Sequence, residues 1–197
     1  MSRRKVSNPL ALAVLACLYE RSMHPYEIAS TLRERHKDDS IKLNYGSLYS
    51  VVESLKGHTL IVEQQTARQG NRPERTVYEI TDAGRLELID WMSELLCRPV
   101  KEFTQFEAGL SLLPVLPPND AKSLLEERCR RLEVEIGQYQ SLRKLVSNER
   151  VPRLFWIESE YRVTLREAEL NWTRGLIADI ASGSLEGMER WVEFHRS

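Results

Sequence analysis

Three arginines in a turn-forming segment are the residues of this chain best suited to chemistry. They stand in the run Arg68-Gln69-Gly70-Asn71-Arg72-Pro73-Glu74-Arg75, with Glu74 as the one acid among them. A guanidinium presents a planar fork of N–H donors that fits two phosphate oxygens, and its charge favours a narrow minor groove. Upstream, Ser47, Tyr49, Ser50 and Ser54 offer hydroxyls that can donate to or accept from base edges and phosphates. The chemistry these types support is binding to duplex DNA. Ser47, Tyr49, Ser50 and Ser54 would face the major groove, while Lys42, Asn44, Arg72 and Arg75 would take the backbone or minor groove. Arg3, Arg4 and Lys5 could add a basic arm.

These side chains need elements to carry them. Asn44 suits a helix N-cap, because its side-chain oxygen can accept from a backbone N–H one turn on. Beyond it, Leu48, Val52 and Leu55 recur at steps of four and three, the spacing of one buried helix face. The opposite face holds Gly46, Ser50, Glu53, Ser54 and Gly57, with Ser47 and Tyr49 on its flanks. Such a face can also be plain solvated surface, and an arginine-rich loop can be no more than a solvated tip. The order decides between them. Leu60-Ile61-Val62 and Val77-Tyr78-Glu79-Ile80 read as strands, and the Gly, Asn and Pro between them mark a turn. Helix, strand, basic tip, strand is the outline of a winged helix.

Chemistry of other kinds finds no support. His24, His36, His58 and His195 lie at no metal-ligand spacing, and none forms a nucleophile motif with a cysteine. No glycine-rich phosphate loop joins a strand to a helix. The many glutamates of the second half, Glu126-Glu127 and Glu167 among them, read as solvated helix faces paired with arginines. The expectation is a protein that is not an enzyme and carries no cofactor or metal. Cys17, Cys97 and Cys129 are odd in number and scattered, which argues against a disulfide framework. The longest apolar run, Leu10 to Tyr19, falls short of the ~20 residues of a membrane span, and no signal peptide is evident. A cytoplasmic protein with no membrane partner is expected.

The net charge of −1 conceals a division. Residues 1–75 hold 12 Lys and Arg against 8 Asp and Glu, whereas the remainder holds 16 against 21, so +4 and −5 give the total of −1. The basic excess lies with the reading head, where a local field can steer phosphates. The excess is modest, so two heads acting together are expected.

Along the chain, Asn8-Pro9 reads as an N-cap followed by proline at the first helical position, and Pro25 starts a second helix reaching about His36. Thr81-Asp82 cap a fourth helix carrying Leu86, Ile89, Trp91, Met92, Leu95 and Leu96. After a break near Pro99, the pattern is wholly helical. A short helix from Phe103 to Leu113 is closed by Pro114. A long one follows Pro118, with Leu125, Cys129, Leu132, Ile136, Tyr139, Leu142 and Val146 in a seam. A final one begins at Pro152, with Ile157, Tyr161, Leu165, Ala168, Trp172 and Leu176 in its stripe, and ends near Ser182-Gly183. So few helices enclose little core alone, and pairing with a second copy is expected. The fold class is mainly α with a small β-hairpin. A winged helix-turn-helix over residues 1–96 precedes a C-terminal helical dimerisation region over 97–197.

The chain resembles the PadR family of transcriptional regulators. The residues that carry this are His24-Pro25-Tyr26-Glu27-Ile28, Gly46-Ser47-Leu48-Tyr49, Leu55, Leu60-Ile61, Gly70-Asn71-Arg72-Pro73-Glu74-Arg75, Tyr78, Ile80-Thr81 and Ala83-Gly84-Arg85. Phe106-Glu107-Ala108-Gly109-Leu110-Ser111 and Glu167-Ala168-Glu169-Leu170 resemble the C-terminal region of longer members. Ser50 stands where proline is common and Thr59 where glycine is common. The resemblance implies a homodimeric repressor on a palindromic operator, released by an aromatic or amphipathic small-molecule effector. Trp91, on the helix linking reading head to dimer half, is the residue such an effector would meet at the junction. Each of Trp91, Trp156, Trp172 and Trp191 also reads as a core or seam residue that needs no further role. The rival expectation is a winged-helix protein-interaction adaptor without sequence-specific DNA binding.

Overall fold

The computed structural model describes residues 8–64, 76–148 and 151–196, the side chains of 145–148 excepted. The tip arginines Arg68, Arg72 and Arg75 and the arm Arg3, Arg4 and Lys5 lie outside the described residues. The chain divides into two compact units, Met1–Lys101 and Glu102–Ser197.

The first unit is built from α1 (Pro9–Glu20), α2 (Pro25–Glu34), α3 (Tyr45–Gly57), the strands β1 (Ile61–Gln64) and β2 (Val77–Ile80), and α4 (Asp82–Cys97). Each helix starts where its cap requires. Asn8 Oδ1 accepts from Leu10 N–H at 2.9 Å, with Pro9 behind it. His24 Nδ1 accepts from Tyr26 N–H while Glu27 accepts from His24 N–H, closing a reciprocal box. Thr81 Oγ1 accepts from Gly84 N–H at 3.0 Å. The second helix stops at Glu34, short of the expected His36, which adopts a left-handed φ of 53° ahead of a 3-10 turn at Lys37–Asp39.

Leu48, Val52 and Leu55 of α3 are fully buried with Val14, Leu15 and Leu18 of α1 and Ile28 of α2. Each such side chain contributes about 1.5–3 kcal/mol relative to exposure, which suffices to fix the outward face of α3. The hairpin is antiparallel, pairing Ile61 with Ile80 and Glu63 with Tyr78. Met23 exchanges both backbone hydrogen bonds with Tyr78, at 3.1 and 3.0 Å, and so ties the start of α2 to the wing. At the corner between α3 and β1, Thr59 adopts a φ of 59°, a left-handed conformation that glycine takes more cheaply. Gly84 is indispensable for another reason. A Cβ there would lie 2.1 Å from the Leu60 carbonyl oxygen.

The second unit holds α5 (Gln105–Ser111), α6 (Pro118–Asn148), α7 (Ile157–Ser182) and α8 (Met188–Phe194). Pro114 lies within a 3-10 turn, Leu113–Val115, that follows α5, and a second such turn, Arg153–Phe155, follows Pro152, so α7 begins only at Ile157. The helix α8 was not expected. Its short length and left-handed Gly183 and Gly187 hide it, yet Trp191 anchors it, buried and donating from Nε1 to Leu116 O at 2.8 Å. Long helices α6 and α7 run antiparallel, as side-chain partners show: Arg128 with Glu169, Arg166 with Glu135, and Arg162 with the Tyr139 hydroxyl.

One expectation needs correction. Leu125, Cys129, Leu132 and Ile136 of α6 are buried as the seam required. On α7, however, the residues facing them are Val163, Leu170, Thr173, Ile177 and Ile180, joined by Leu176 alone of the expected stripe, whereas Tyr161, Leu165 and Trp172 are 66%, 50% and 54% exposed. Periodicity alone finds the more continuous apolar stripe, and α7 has two apolar faces. The less regular one, completed by Thr173 with its hydroxyl satisfied by Glu169 O at 2.8 Å, is the internal seam.

Candidate nucleic-acid interface

The outward side of α3 collects most of the hydroxyl residues. Gly46, Ser47, Ser50 and Ser54 line one shallow surface concavity with Val51 and with Asn8, the cap of α1. Gly46 adds no side chain there, so a ligand backbone could approach the helix closely. Ser50 donates from Oγ to Gly46 O at 3.0 Å, which leaves its lone pairs outward as acceptors. Tyr49 is 50% exposed on the flank of the helix. Asn44 caps α3 through a 2.7 Å bond from Ser47 N–H to its Oδ1, leaving its amide NH₂ as donor. Lys42 is exposed just ahead of the cap.

Glu53 is not part of the bland face. It accepts from the Tyr78 hydroxyl at 3.4 Å and lies 3.4 Å from Lys56, whose ammonium also bonds Glu63 at 2.7 Å. These bonds turn an acid toward the wing, away from the serines. The Glu63 carboxylate raises the Lys56 pKa.

Two exposed tyrosines meet beside this face, a pairing that the sequence reading did not find. Tyr26, at the start of α2, stacks on Tyr45, at the start of α3, with centroids 6.4 Å apart and planes at 11°. Arg33 donates to the Tyr45 hydroxyl at 2.7 Å. The cluster abuts the N-terminus of α3, where free N–H groups favour a phosphate. A signal was available: each tyrosine sits beside its helix's starting residue, Pro25 or Asn44.

Trp91 occupies a different setting. It is only 5% exposed and packs in the core of the first unit, so burial accounts for it and an effector would have to open that core to reach the ring. Among the described residues, no group of His, Cys, Asp and Glu could hold a metal ion, and no helix is long and apolar enough to cross a membrane.

The winged-helix stretch, residues 14–90, matches the transcriptional regulator PadR-like family. Over those residues, the chain is similar to that family. A curated relative, the negative transcriptional regulator PadR of Bacillus subtilis, is 24% identical over 142 residues, spanning 71% of this chain and 76% of the relative. The crystal structure of Bacillus subtilis PadR in complex with operator DNA shares the fold, with a TM-score of 0.67 at 20% identity over 89% of this chain and 99% of that one. The same protein in complex with p-coumaric acid gives 0.69 at 18% identity, over 87% and 98%. The PadR-like fold therefore extends through both units. The α3 side of the concavity lies inside the family-matched stretch, and the α6–α7 hairpin lies outside it.

Proposed function

We propose that this PadR-like chain is a transcriptional repressor that binds a palindromic operator as a homodimer and releases it when a small-molecule effector binds. The outward hydroxyl face of α3, on a helix whose other face is locked in the core, carries this reading. Ser47, Tyr49, Ser50 and Ser54 enter the major groove, and Lys42 and Asn44 meet backbone at the helix start. Arg72 and Arg75 complete the contact from the wing. The exposed stripe Tyr161, Leu165 and Trp172 on α7 is the surface on which two copies pair. Bacillus subtilis PadR, crystallised with operator DNA and with p-coumaric acid, supports both the DNA and the effector parts. The chain acts by binding alone, without a catalytic step or cofactor, in the cytoplasm where its DNA lies.

A gel-shift titration tests this, using DNA from upstream of the chain's own gene, unrelated competitor and two salt concentrations, alongside selection from random DNA. The expected outcome is a discrete, competitor-resistant complex on selected sites whose half-sites lie about 10 bp or a multiple apart. Diffuse, salt-labile binding with no selected motif would instead favour an interaction adaptor.

A further inference from the structure

A cleft of about 220 Å³ opens between α6 and α7 near the loop that joins them. Its lining includes two aromatic rings, Trp156 and Tyr139, and the apolar side chains of Leu142 and Val163. Both rings already receive cations. The Arg143 guanidinium lies 5.3 Å from the Trp156 ring centre, and that of Arg162 lies 5.2 Å from the Tyr139 ring centre. Aromatic faces attract positive charge, most strongly when shielded from water.

One lining carboxylate points the same way. Two carboxylates, Glu160 and Glu167, face one arginine, Arg143. Glu160 is held by a fork from Arg153, at 2.7 and 2.8 Å, which lowers its pKa and keeps it ionised. Glu167 accepts a long 3.4 Å bond from Gln140 and makes no ion pair among the described residues. With Glu160 neutralised by Arg153, the carboxylate left to repel an entering anion and attract a cation is Glu167. A planar cation would gain a ring face and one carboxylate. The volume falls below the ~300–1,000 Å³ of drug-sized pockets, which restricts the occupant to a few fused rings.

We propose that this cleft binds a small planar organic cation, which stacks on Trp156 in place of the Arg143 guanidinium and sets its charge against Glu167. The site deepens the effector part of the function proposed above and rests on it for any effect on DNA. Binding is measured on the free full-length protein, so a failed cleft and a failed operator give different results.

Calorimetric titration with N-methylquinolinium, and with naphthoate as an anion of similar size, tests the site. One cation per chain should bind, and naphthoate should bind at least about tenfold more weakly. Glu167→Gln and Trp156→Ala should each weaken the cation about tenfold. Arg143→Ala should tighten it, because it removes an internal competitor for the ring. Tighter binding of naphthoate, lost in Arg143→Ala, would overturn the proposal, as would quinolinium binding indifferent to Glu167→Gln or no binding at millimolar ligand. Glu167 is exposed, so that variant decides the matter even if Trp156→Ala fails to fold.

Discussion

At the scale of single residues, Thr59 is the plainest case of a side chain at odds with its backbone. A β-branched residue at a φ of 59° bears a steric cost that glycine avoids. Thr59→Gly should therefore raise stability by about 0.5–1 kcal/mol, despite glycine's greater freedom when unfolded, and urea denaturation would show it as a higher midpoint at unchanged slope. The thiols separate just as clearly. Burial pushes Cys17 up to about 11, so it stays protonated and inert at pH 8, and desolvation raises Cys129 too. Cys97 is exposed. A thiol reagent should label Cys97 first in the native protein, and raising the pH should quicken Cys17 only on approach to 11; labelling followed by mass mapping reads the order. If Arg72 meets phosphate as proposed, Arg72→Ala should weaken binding to all sequences alike and flatten its salt dependence, measured by gel shift at several salt concentrations. The anomaly at Thr59 could be suspected from the sequence, since glycine is common there. For the Tyr26–Tyr45–Arg33 cluster the sequence shows only the place of each tyrosine at a helix start, not that they meet, because the cluster joins two helices whose packing no single periodicity describes.

At the scale of elements, caps were the most readable signals. Asn8, Asn44 and Thr81 bond the turns they were expected to start, because capping chemistry is local and needs no tertiary partner. The seam of α7 was not readable in the same way. Both of its faces are apolar, and the choice between them is made by α6, through partners such as Arg166 with Glu135. The faces should respond oppositely to substitution. Leu170→Ala, in the internal seam, should cost about 2–4 kcal/mol in a denaturation experiment. Leu165→Lys, on the exposed stripe, should leave the helical circular dichroism intact and shift the light-scattering mass from dimer to monomer. The helix α8 escaped because it is short and owes its place to Trp191, whose partner Leu116 is remote in sequence.

At the scale of the whole molecule, the basic excess of residues 1–75 and the acidic balance of the remainder divide labour between a unit suited to phosphates and a helical unit with apolar surface to spare. The wing's cations lie outside the described residues, so their part rests on the sequence. The seat of α4 has a mechanical consequence. Gly84 leaves no room against the Leu60 carbonyl, and Thr81 fastens the same corner by donating to Thr59 O and receiving Gly84 N–H, while its own N–H bonds Leu60 O. A lever with so tight a fulcrum has no free play. Torque applied along α4 must turn the reading head as a body, so a small displacement at the far end becomes a change in the pitch of α3, undamped by any hinge at that corner.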